Sequence, residues 1–275
     1  MQHADPVVTT GQWVASIRAE ESRRPDAFRQ DQYAHLMAGA GSSHVADIRA
    51  VGGPIGVVPA RLRLGDLTVL DAVEAGIRQV VLLAAGTDTR AYRLELPADT
   101  QVFELDLPGV IAWKDQVMAE AGVRPRGQHH WVEADLRENW ELALEQAGFD
   151  RSAPAVWVLE GLFYYLSIEE IQQLLARLSA LAAPGSVLTF DAVDDRFMAA
   201  PENQGFRQYL ARNNALWRSG LADPEALLTP LGWQVSAYHS NDLGTERAPW
   251  APEIPERLRD SQYFWLVRAE RTEQG

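Results

Sequence analysis

From residue 78 onward, short apolar runs alternate with stretches whose apolar residues recur every three or four positions. That alternation is the pattern of buried strands interleaved with amphipathic helices, and it predicts a parallel α/β sheet. The runs predict strands over 79–84, 101–106, 130–134, 155–160 and 186–191, with helices near 88–94, 108–121, 137–147 and 167–182. The last helix is the clearest. Ile168, Ile171, Leu174, Leu175, Leu178 and Leu181 share one face, and Ser167 with Glu170 makes a capping box. Two more β-like runs, 233–238 and 262–269, close the chain. The proline-bearing stretch between them has no helical period, so the two are expected to pair antiparallel, one strand being reversed. Residues 1–75 read as a mostly helical cap. Trp13, Ile17, Ala34, Leu36 and Met37 sit at helical spacing, Gly52-Gly53-Pro54 interrupts, and Leu62, Leu67, Leu70 and Val73 suit a helix ending at Gly76. A stretch rich in arginine and aromatics, 193–222, follows the fifth strand. The expectation is one domain: a cap over 1–75, a core over 78–192, and a cap insertion with the terminal strand pair over 193–275.

Composition narrows the function. The 275 residues carry a formal net charge of −13 and no dense basic run, which argues against a nucleic-acid or anionic-membrane partner. There is no cysteine, which excludes disulfides, thiolate metal sites and cysteine nucleophiles. Lys114 is the sole lysine, and it follows Trp113, so no P-loop exists; a short-chain dehydrogenase would need Tyr where Val110 stands. No Gly-x-Ser-x-Gly elbow is present, and the histidines match no metal spacing. No apolar stretch approaches the ~18 residues of a membrane span and the first residues lack a secretory pattern, so a cytoplasmic location is expected.

In an open α/β sheet, ligands bind beyond the carboxyl ends of the strands. The first strand ends in the small-residue turn Ala84-Ala85-Gly86, where a ligand can approach the backbone. The second ends at Asp106, twenty residues after Gly86, suited to a ribose diol; Glu104 shares its face, so either acid can serve. The third ends at Asp135-Leu136, an acid and an apolar neighbour suited to an adenine, or equally an N-cap. The fourth ends at Glu160-Gly161, an acid that needs a cation or donors. A nicotinamide dinucleotide would want glycine at Ala84 and Thr89 as well as at Gly86. S-adenosylmethionine, with no pyrophosphate, tolerates this turn better.

The segments Leu83-Ala84-Ala85-Gly86-Thr87-Asp88-Thr89-Arg90-Ala91-Tyr92-Arg93-Leu94, Val102-Phe103-Glu104-Leu105-Asp106-Leu107-Pro108, Ala134-Asp135-Leu136-Arg137 and Glu160-Gly161-Leu162-Phe163-Tyr164-Tyr165-Leu166 together resemble the leucine carboxyl methyltransferase family, above all its bacterial branch of S-adenosylmethionine-dependent O-methyltransferases. The likeness runs over residues 15–192. It implies a class I methyltransferase fold, a Rossmann-like seven-stranded mixed sheet with the last strand antiparallel. It also implies S-adenosyl-L-methionine as cofactor. On it, Arg61 (with Arg63 in reserve) inherits the grip on the methionine carboxylate. The turn Ala84, Ala85, Gly86 inherits the cofactor loop, Asp106 with Leu107 the ribose site, Asp135 and Leu136 the adenine contacts, and Glu160 with Gly161 the amino group. The family usually has glycine where this chain has Ala84.

The resemblance implies O-methylation of a small molecule or peptide. A carboxylate acceptor is ionised at neutral pH and needs no base; a hydroxyl or phenol needs one, for which His35 and Tyr164 are the candidates. Arg18, Arg23 and Arg24 on one side of the cap, and Arg196, Arg207, Arg212 and Arg218 on the other, are candidate cations for an anionic acceptor, with Tyr33, Tyr164 or Trp217 against its apolar body. The alternatives are a nicotinamide oxidoreductase and a binding protein that keeps the fold without turnover. No metal is expected.

Overall fold

The computed structural model describes residues 6–39, 41–251, 253–259 and 263–273. The cap supplies α1 (Pro6–Ser22), α2 (Ala34–Met37), α3 (Ser42–Ala50) and α4 (Val57–Glu74). The core runs β1 (Gln79–Leu83), α5 (Arg90–Arg93), β2 (Gln101–Asp106), α6 (Pro108–Glu120), β3 (Gln128–Glu133), α7 (Trp140–Gln146), β4 (Ala155–Leu159), α8 (Ile168–Leu181) and β5 (Val187–Val193). Then come α9 (Asp195–Ala199), α10 (Gln204–Arg212), α11 (Pro224–Leu228), β6 (Trp233–His239) and β7 (Phe264–Arg271).

The seven strands form one sheet in the order β3-β2-β1-β4-β5-β7-β6. β1 to β5 are parallel, and β7 runs antiparallel to both of its neighbours. The strand order reverses between β1 and β4, which opens a crevice beyond their carboxyl ends. Period-two alternation sends Val81 and Leu83 of β1 to the face covered by α7 and α8, and Val80 and Leu82 to the face covered by α4 and α6. A third apolar cluster joins the cap to β5 and β7. It includes Trp13, Ile48, Phe206, Trp217 and Phe264.

Local chemistry sets the element ends. The capping box of α8 is formed: the Glu170 N–H donates to Ser167 Oγ and the Ser167 N–H to Glu170 Oε2. α4 stops at Glu74 because Gly76 turns into the left-handed region (φ 104°) and lets the Ile77 N–H close back on the Ala72 carbonyl. The helix expected from 137 begins only at Trp140, since Asp135 takes the Arg137 N–H and folds those residues into a turn. β5 reaches Val193, two residues beyond its expected end, because β7 pairs with it from Val187 to Val193. The expected strand from 262 falls partly outside the described residues. The sole lysine, Lys114, is buried on α6, where it meets the Glu104 carboxylate and lies 5.6 Å from the Trp131 ring. Among the described residues, no helix is long and apolar enough to cross a membrane.

Candidate functional site

A cavity of about 490 Å³ opens at the switch point, walled by the strand ends below and by α1, α3, α4 and α10 above. Its floor is the turn after β1. Ala84 and Gly86 both have positive φ (52° and 47°), and the Ala85 N–H still bonds to the Leu105 carbonyl, so the turn stays tied to β2. A Cβ on Gly86 would find nothing nearer than the Ala84 carbonyl at 3.7 Å. The backbone there is open to a ligand. Ala84 keeps a methyl group where the backbone favours glycine.

Asp106 stands beside this turn. Its Oδ2 accepts from the Gly86 N–H at 2.7 Å and its Oδ1 from the Leu107 N–H at 2.8 Å. Burial pushes its carboxyl above the ordinary aspartate value, against the pull of those two N–H groups. Glu104 does not line the cavity. It is fully buried between Lys114 and His129. The two acids on β2 therefore have separate surroundings, and only Asp106 faces the cavity.

Arg61 of α4 enters from the other side. Its Nη1 donates to Asp191 Oδ2 at 3.0 Å and to the Tyr164 hydroxyl at 3.3 Å. Burial works against its charge, but Asp191 and Glu160 outweigh it and raise the Arg61 pKa above the usual value. Asp191 also takes the Gly161 N–H at 2.7 Å. Gly161 has φ 71°, and a Cβ there would lie 3.2 Å from both terminal nitrogens of Arg61. The guanidinium thus rests against bare backbone. Arg63, two residues on and so on the opposite side of α4, faces out of the cavity to the carbonyls of Phe28 and Trp250.

Glu160 receives Arg90 on Oε1 at 2.6 Å. Arg90 is buried and also binds Asp66 and Asp88. Asp66 in turn holds Arg29 and Arg93. Burial raises the Glu160 carboxyl despite Arg90 and Arg61. For Asp66 the balance tips the other way: burial acts to raise its pKa, but Arg93 and Arg90 hold it below the usual range. Asp135 lines the cavity with Leu136 and is gripped by Arg137, which lowers its pKa.

The cavity gathers Arg61, Ala84, Ala85, Gly86, Asp106, Leu107, Asp135, Leu136, Glu160, Gly161 and Tyr164. His35 is not among them. It sits exposed on α2 with Nδ1 at 2.9 Å from the Gln32 carbonyl, so the base role anticipated for it has no geometric support. Among the described residues no histidine lines the cavity. Of the seven cap arginines, Arg18 and Arg218 reach it. Arg18 is committed to the Thr87 carbonyl and Asp31, and Arg218 to Glu170 and the Tyr165 carbonyl. Arg23, Arg24, Arg196, Arg207 and Arg212 lie elsewhere, and Tyr33 packs on the cluster around α4 instead. The sequence reading gave no role to Asp191, Asp66 or Arg90. Asp191 lies at the expected end of the fifth strand and Arg90 within the first motif, where acid and arginine are available signals; Asp66 lies inside α4, where the signal is an acid among apolar helix positions.

Comparison with known proteins places the chain in a family. The family model "Leucine carboxyl methyltransferase" matches residues 12–179. A relative from Parafrankia sp. (strain EAN1pec), named as an S-adenosyl-L-methionine-dependent methyltransferase, is 40% identical over 255 residues, covering 88% of this chain and 81% of its own. One of the same name from Mycobacterium sp. (strain JLS) is 41% identical over 272 residues, covering 87% and 88%. Among solved structures, a methyltransferase from Thermobifida fusca matches with a TM-score of 0.60 at 19% identity, covering 96% and 95%, a likeness of fold alone.

Proposed function

Since the chain belongs to the leucine carboxyl methyltransferase family and is an S-adenosyl-L-methionine-dependent methyltransferase, we propose that it transfers the methyl group to the carboxylate oxygen of an organic acid. The described residues suit the cofactor on their own chemistry. The open backbone at Gly86 admits a ligand. Arg61 has Nη1 engaged by protein, which leaves the Nη2 and Nε donors of its fork for the methionine carboxylate. Glu160 has Oε2 left for the methionine ammonium. Asp106 would accept from the ribose diol, while Asp135 and Leu136 would take the adenine.

When bound, the cofactor supplies a methyl group already activated on a sulfonium. The chain's own task is alignment and exclusion of water. Tyr164 accepts from Arg61, so its own proton can turn toward an acceptor oxygen and orient it. Burial pushes the Tyr165 phenol up, so that side chain stays protonated at neutral pH.

The observation that carries the carboxylate reading is the lack of a free base. No histidine lines the cavity among the described residues, and its four acids, Asp88, Asp106, Asp135 and Glu160, are each already hydrogen-bonded. An acid acceptor needs no base. Turnover with an acid should give a base-labile methyl ester at a rate nearly flat from about pH 6 to 8. A rate climbing through about pH 6.5 and abolished by His35→Ala would overturn the reading.

A further inference from the structure

Resting on that carboxylate reading, we infer that the acceptor is an apolar monocarboxylic acid with an aromatic or branched body, taken bodily into the cavity, and not the C-terminus of a peptide. The two ends of the cavity differ in chemistry. One end holds the acids of the strand tips and Arg61 of α4. The opposite end is walled by Ile17, Ile48, Phe206, Leu210, Trp217 and Phe264. These side chains carry no charge. Trp217 anchors the wall, with its ring centroid 4.5 Å from Tyr164, 5.2 Å from Phe206 and 6.0 Å from Phe264. Gly53 lets the loop before α4 settle directly on Ile48 and Phe206, since a Cβ there would collide with both. The wall is therefore tightly packed.

An apolar body entering this end trades water for matched surface. A peptide entering the same way brings at least one amide within a residue of its carboxylate. That amide gives up its water for a wall whose polar groups are few, the buried Trp217 Nε1–H and Asn214 among them. At the rim, Arg218 is exposed but held by Glu170 and the Tyr165 carbonyl, so it adds little attraction for a polar acceptor. Trp217 sets how long a body fits between the rim and the cofactor end.

The test is calorimetry on the full chain loaded with S-adenosylhomocysteine, using 3-phenylpropanoate, 3-phenylpropan-1-ol, succinate and N-acetyl-alanyl-leucine as probes, followed by methyl transfer with S-adenosylmethionine. The expected result is 3-phenylpropanoate binding at least tenfold tighter than succinate or the dipeptide and yielding a methyl ester. Trp217→Phe, which keeps an aromatic wall, should retain the preference for 3-phenylpropanoate, whereas Trp217→Ala should shift preference toward dodecanoate, a further probe, by tenfold or more. Equal or tighter binding of the dipeptide overturns the inference, as does failure of both phenylpropyl probes to bind. Ether formation on the alcohol with no ester from the acid overturns the carboxylate reading and, with it, the acid named here, while tight binding of both phenylpropyl probes still supports the apolar chamber.

Discussion

Asp191 of β5 holds Arg61 with one carboxylate oxygen and the Gly161 N–H with the other, so a single buried acid fixes both the cation and the backbone it rests against. Removing its charge leaves the buried Arg61 without its hydrogen-bonded acid and with Glu160 alone to offset burial, a change of about 3–5 kcal/mol. Asp191→Asn should lower the melting temperature and weaken S-adenosylhomocysteine at least tenfold in calorimetry. Arg61→Lys keeps the charge but loses the fork, and should weaken the same ligand by about 1.5–3 kcal/mol. An Arg61→Lys protein that binds normally would remove Arg61 from the carboxylate role.

Asp106 gives a pH signature. Burial raises its folded-state pKa above the unfolded value, so between the two values the folded chain holds more protons than the unfolded one. Its contribution to stability is therefore fully present below the unfolded pKa and is lost as pH rises through the folded pKa. Ribose donors favour the ionised form, so cofactor affinity runs the opposite way. S-adenosylhomocysteine binding should weaken on acidification at a pH above the ordinary aspartate value of about 3.9. The acid limb should vanish in Asp106→Asn, alongside a lower affinity at pH 7. Calorimetry across pH 4 to 7 reads both; an unchanged acid limb in Asp106→Asn would assign it to another group.

Gly65 lies in the middle of α4, where alanine is the better helix former by about 1 kcal/mol. Yet a Cβ at this position meets Glu160 Oε1 and Arg90 Nη2 inside contact distance. Gly65→Ala should therefore destabilise, by about 2 kcal/mol or more as overpacked sites do. It should also weaken cofactor binding, because Glu160 must move. A thermal melt showing stabilisation would mean that the Arg90–Glu160 pair yields without cost.

Ala84 carries the reverse expectation. Its φ of 52° disfavours a side chain by about 1–2 kcal/mol, and glycine returns part of that through a freer unfolded chain. Ala84→Gly should stabilise by about 0.5–1 kcal/mol, a rise of about 1–3 °C in melting temperature. A fall in melting temperature would show that the methyl group packs usefully.

The parts legible in the sequence are those that depend on neighbours along the chain. The five parallel strands, the capping box of α8 and the stop at Gly76 follow from local period and local chemistry. So does the placing of Ala84, Asp106, Asp135 and Glu160 at strand ends. What escaped depends on distant partners. Asp191 acquires its role from Arg61, 130 residues earlier, and Asp66 from Arg90 and Arg93 on another helix. His35 seemed available as a base, but its direction is set by a single turn of helix. That turn is pinned where Asp31 is held by the Ser22 hydroxyl, Thr89 and Arg18. The choice between Glu104 and Asp106 required knowing that Lys114 folds back onto Glu104.

That last contact makes the chain carry its own opening gauge. Lys114 is its sole lysine and is 1% exposed. Its amine meets a carboxylate and lies over an aromatic ring. An acylating reagent therefore reaches this side chain only when α6 parts from β2. Its labelling rate, read by mass spectrometry on the peptide that carries Lys114, and so apart from the α-amine, measures the free energy of that local opening. Titrating in the cofactor while following the same rate would report how far occupancy of the crevice stiffens the second strand, with no tag or engineered cysteine.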